Sequence, residues 1–81
     1  MSTAEEQQAR SALLQGSDNY RDLAERHHQL DDRLHELLVK HHLSITEQLE
    51  EVTLKKRKLV LKDQMEMMAR DYAREHHLVA S

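Results

Sequence analysis

The chain of 81 residues contains no cysteine. Disulfides and thiolate metal sites are therefore excluded, which suits a reducing cytoplasm, the expected location. Proline is absent and glycine occurs once, at Gly16. Tryptophan and phenylalanine are missing too, and two tyrosines are the only aromatics. Such a chain has almost no helix breakers and little with which to stack on nucleic-acid bases. Long apolar runs are also lacking: the longest are three residues, as at Leu37–Val39 and Leu59–Leu61. A transmembrane helix needs about 20 apolar residues and a secretory h-region at least about 7, so neither is expected. There is no glycine-rich phosphate loop, no cysteine nucleophile, and no serine with a paired base. No catalytic residue, cofactor, metal ligand or small-molecule substrate is expected, and the chain reads as non-enzymatic.

What is present is charge and helix-forming residues. A third of the chain is charged, with a formal net charge of −3 when histidine is neutral. That balance calls for no polyanionic partner. Protonating all seven histidines would add seven charges to −3 and give +4, so the net charge can change sign in mildly acidic solution.

Helical periodicity organises most of the length, and the class is all-α. Residues 1–16 form a polar arm with a small apolar patch at Ala12–Leu14. Ser2 with Glu5, and Thr3 with Glu6, have capping-box spacing, and a short helix can end at Gly16, where a left-handed residue suits glycine. Alone, such a helix frays in water. Ser17 or Asp18 can cap a helix over residues 18–41. Along it Tyr20, Leu23, His27, Leu30, Leu34, Leu37 and His41 recur at alternating steps of three and four. That is a heptad seam. A turn at 42–44 follows, and Ser44 with Glu47 forms a capping box that starts a helix over 45–77, before a tail at 78–81. A link so short makes the helices antiparallel neighbours. The expected architecture is a coiled-coil-like antiparallel two-helix hairpin with a frayed N-terminal helix.

The second helix is apolar on two sides. At about 100° per residue, Ile45, Leu49, Val52, Leu59 and Val60 share one side, and Leu54, Leu61, Met65, Met68 and Tyr72 share the other. The first set is expected to close the seam, through Leu49, Val52 and Leu59. The second is then left exposed as the candidate interface for a homo-oligomer or a helical protein partner. The alternative is that the N-terminal segment folds back over part of it.

The stretch "LKKRKLVLKD" at residues 54–63 has four consecutive basic residues. On a helix they fan over about 300° and form no single patch. If residue numbers across the hairpin sum to about 86, Lys55 and Lys56 lie near Asp31, and Asp63 lies near Leu23 and His27. The charges then read as a zipper that sets register. The alternative is a nucleic-acid-associated protein using the basic stretch Lys55–Lys62, with Lys55, Arg57, Lys58, Lys62, Arg70 and Arg74. A membrane-surface role is not expected, because no basic face lies opposite a single apolar one. The histidines form three adjacent pairs, His27–His28, His41–His42 and His76–His77, plus His35. None are spaced i, i+4, the usual helical metal pair, so the remaining metal case is an ion bridged between subunits.

With these residues laid out, the chain resembles the YdcH-like family of small bacterial proteins, whose function is not established. The likeness rests on "HHQLDDRLHEL" and "LKKRKLVLKDQM". A His-x-x-Leu-Asp motif falls on His27, Leu30 and Asp31. A Leu-Lys-Lys-x-Lys-Leu-x-Leu-Lys-Asp motif falls on Leu54, Lys55, Lys56, Lys58, Leu59, Leu61, Lys62 and Asp63. It spans roughly residues 18–70 and implies a helical hairpin of the bacterial cytoplasm, with no known activity or cofactor.

Overall fold

The computed structural model describes residues 4–76. Three helices, α1 (Ala4–Gly16), α2 (Asp18–Leu38) and α3 (Ile45–Glu75), account for nearly all of them, and no strand occurs among the described residues. The all-α class holds; the two-helix hairpin is corrected to three helices. The molecule is elongated, 50 × 24 × 17 Å, because α3 with its 31 residues alone spans about 46 Å.

Local chemistry sets the helix starts. Ser17 is extended (φ −119°, ψ 112°), and its Oγ accepts the Tyr20 N–H at 3.1 Å, so Ser17 rather than Asp18 caps α2. At Ser44 both halves of the capping box form. Its Oγ accepts the Glu47 N–H at 3.1 Å, and Glu47 Oε1 accepts the Ser44 N–H at 3.0 Å. The capping boxes read at Ser2 and Thr3 lie outside the described residues, as do His77, where the second helix was expected to end, and the 78–81 tail. Gly16 does not take a left-handed φ; it closes α1 in ordinary helical backbone, and Ser17 N–H still donates to Leu13 O at 2.8 Å.

α2 ends at Leu38 rather than at residue 41. The Val39 N–H closes on His35 O and Leu37 O, and His41 falls in the link instead of on the seam. The longer link lets Lys40 reach across and bond Glu47. Ion pairs show α2 and α3 running antiparallel: Arg33 meets Glu50, Lys40 meets Glu47, and Asp31 meets Lys58. The expected Asp31 contact with Lys55 or Lys56 is thus one turn out of place; Lys55 bonds Glu51 in its own helix at 3.2 Å.

The core lies at the three-helix end. Ala9 and Leu13 of α1, Tyr20 of α2, and Ala69 and Ala73 of α3 are buried together, with Met65, Met68 and Tyr72 packed against them. The alanines on facing helices permit close approach, so a 13-residue helix that would fray alone is held by burial. Leu37 and Leu54 are buried outside that cluster.

Candidate interaction surface

α3 carries both apolar faces, and they are inverted relative to expectation. Leu54 is 8% exposed, and Leu61, Met65, Met68 and Tyr72 are half-buried, turned toward α2 and α1. They form the intramolecular face in place of the exposed one expected of them. Leu49, Val52 and Leu59, assigned to the seam, are 65%, 50% and 59% exposed. Of the other seam residues, Tyr20 and Leu37 are buried, while Leu23, His27, Leu30 and Leu34 are half-buried. The physical reason is α1. A hairpin alone could bury either stripe, but Ala9 and Leu13 supply a third surface that matches only the side carrying Ala69 and Ala73. The arm does fold back as the alternative held, through Leu13; Leu14 stays exposed.

The outward face carries Ile45, Leu49, Val52, Leu59, Val60 and Met67, each at least half exposed. At 100° per residue they fall within an arc of roughly 100°. Lys56 and Asp63 interrupt this stripe, and both are exposed. Asp63 therefore points away from Leu23 and His27. Neither Lys56 nor Asp63 has an ion-pair or hydrogen-bond partner among the described residues. The reason is visible along the helix. Three and four residues either side of Lys56 stand only Val52, Thr53, Leu59 and Val60; around Asp63 stand Leu59, Val60, Glu66 and Met67. The sequence pattern does not place Met67 on either face, and it does not single out the small residues Ala9, Ala69 and Ala73. The i, i+4 spacing of Ala69 and Ala73 was the available signal for the last two.

The basic residues are mostly engaged. Lys58 bonds Asp31, Lys55 bonds Glu51, Arg70 lies 4.0 Å from Glu66, and Arg74 lies 3.9 Å from Asp71. Of the six proposed for nucleic acid, Arg57 and Lys62 lack an ion pair among the described residues. A groove of about 480 Å³ between α2 and α3 has Leu34, Leu38 and Leu59 as apolar lining, with Lys55, Lys58 and Lys62 beside them.

The charges between helices are set by geometry. Arg33 grips Glu50 with two bonds of 2.8 Å, Nε to Oε2 and Nη2 to Oε1, which lowers the Glu50 pKa and raises that of Arg33. The Lys58 hydrogen bond lowers the Asp31 pKa. Lys40, with help from the Ser44 N–H, pulls Glu47 down to about 2. Burial raises the Tyr20 hydroxyl pKa, opposed by Arg10. His27 Nδ1 is 3.6 Å from Asp31, and His28 Nε2 is 3.4 Å from Asp32, pairs that become ionic only when the imidazole is protonated. No cluster of three or more His, Asp or Glu able to hold a metal ion occurs among the described residues. Nor is any described helix long and apolar enough to cross a membrane.

Residues 21–69 match a family described as protein of unknown function DUF465. The chain belongs to that family. The DUF465 span takes in nearly all of α2 and most of α3, contains all six outward apolar residues, and leaves out α1. Comparison with curated proteins and with solved structures gave no match.

Proposed function

We propose that this DUF465 protein is a non-enzymatic helical interaction module that self-associates through the outward face of α3. The observation that supports the reading is the stripe Ile45, Leu49, Val52, Leu59, Val60 and Met67, which stays exposed after all three helices have packed. An exposed apolar stripe on a small helical protein marks an interface, even where single charged residues interrupt it. Covering a half-exposed aliphatic side chain is worth roughly 1 kcal/mol. Six from each of two copies then supply on the order of 10 kcal/mol, against an association cost of about 4–15 kcal/mol. At the low end of that cost the surplus is roughly 6 kcal/mol, which corresponds to a weak, reversible complex of tens of micromolar and not to a permanent one. We read the protein as cytoplasmic, since a chain without cysteine loses nothing in a reducing compartment, and as bacterial from its resemblance to the YdcH-like proteins alone.

Sedimentation equilibrium across a wide concentration range tests this. Wild type should self-associate at micromolar concentration. The double substitution Leu59→Lys with Val60→Lys should be monomeric with unchanged helicity. A wild type that stays monomeric at high micromolar concentration would refute the proposal.

A further inference from the structure

Lys56 and Asp63 are out of place as a pair. Each sits inside an apolar stripe, each is exposed, and neither has a partner among the described residues. Seven residues apart on one helix, they stand about 10 Å from each other along the axis and cannot bond one another. A second copy of α3 can supply what each lacks, provided that it runs antiparallel.

From this charge complementarity we infer that the partner is a second copy of the chain, with the two α3 helices antiparallel about a two-fold axis between Leu59 and Val60. This rests on the outward face of α3 being the contact. In that register Lys56 faces Asp63 of the other copy, and by symmetry the same pair forms again on the far side of the axis. Leu59 faces Val60, and Val52 faces Met67. Ile45 and Leu49 face the aliphatic stems of Arg74 and Arg70, which can cover apolar surface while their guanidinium groups reach water.

The neighbouring registers are disfavoured by the same two residues. One heptad in one direction sets Lys56 against its own copy. One heptad in the other sets Asp63 against its own copy and Lys56 against Arg70. A parallel in-register pair makes both like-charge contacts at once. Polar residues within an apolar seam select register in this way in coiled coils. The inferred register also matches the helices almost end to end, since the midpoint of Ile45–Glu75 is Val60. At roughly 100 Å² apiece, six half-exposed side chains from each copy approach the ~1,200 Å² at the lower end of stable interfaces.

Charge exchange provides the test, with dimer dissociation constants from sedimentation at low salt and helicity from circular dichroism. Lys56→Asp and Asp63→Lys each replace two attractive contacts with two repulsive ones. Each should weaken dimerisation roughly tenfold or more. The combined Lys56→Asp/Asp63→Lys protein restores both contacts in reversed sense and should return to within about threefold of wild type. A spin label on Thr46→Cys, the only cysteine in that variant, should give an inter-copy distance near 40 Å if the helices are antiparallel, and under about 20 Å if they are parallel. Single exchanges that leave dimerisation unchanged, or a short label distance, overturn the inferred register even if Leu59→Lys/Val60→Lys still dissociates the dimer. A monomeric wild type overturns the interface itself.

Discussion

Glu47 shows how much one residue is asked to do in a small helical protein. It closes the capping box on Ser44, and it accepts the Lys40 ammonium across the link. Together these hold its carboxyl near 2, below an ordinary value of 4.5. A folded pKa lower than the unfolded one means that the charged form favours folding. The contribution is complete above about pH 4.5 and fades as pH falls toward 2. Glu47→Gln should therefore be less stable than wild type at pH 7 and lose less on acidification; urea midpoints at pH 7, 4 and 3 would reveal both. Equal acid sensitivity in the two proteins would contradict the pairing. Ser44→Ala removes the other half of the box and should cost about 1 kcal/mol at neutral pH.

At the scale of the element, α1 is the decisive piece. Its sequence is mostly polar, and at 13 residues it is too short to be helical alone. Ala9, set against Ala69 and Ala73, lets the backbones approach closely, and Leu13 and Tyr20 complete the cluster. Ala69→Leu should overpack this contact, cost about 1–3 kcal/mol, and loosen α1. Spectrophotometric titration reports it, because burial holds the Tyr20 hydroxyl above its usual 10 and displacement of α1 should lower it toward that value. An unchanged Tyr20 titration with unchanged stability would show that α1 is not held there. The sequence allowed a short helix ending at Gly16 but expected it to fray, and the left-handed glycine read there is not what ends it. Its docking was not legible, since alanine carries almost no hydrophobic signal and reads as surface or core alike.

For the whole molecule, the two faces of α3 should respond oppositely to the same chemistry. Leu61→Lys with Met68→Lys strikes the face turned toward α2 and α1, and should collapse helicity and cooperative melting, because buried charge has no partner there. Leu59→Lys with Val60→Lys strikes the outward face and should leave the fold intact. Circular dichroism melts of the two proteins at one low concentration distinguish them, and similar melts would mean that the faces are not so divided.

The all-helical class, the Ser44 cap and the two apolar stripes of α3 were determined by the sequence alone, because they depend on residues within one turn of each other. Which stripe lies inside was decided by tertiary structure. Leu49 and Val52 match Leu54 and Leu61 in hydrophobicity, so nothing local to α3 separates them. The choice comes from α1, some fifty residues earlier, whose Ala9 and Leu13 pack with Ala69 and Ala73. The exact pairing of α2 with α3 was decided in the same way. Asp31 takes Lys58 rather than Lys55 because helix rotation, set by the buried side, carries Lys58 toward α2 and leaves Lys55 to Glu51.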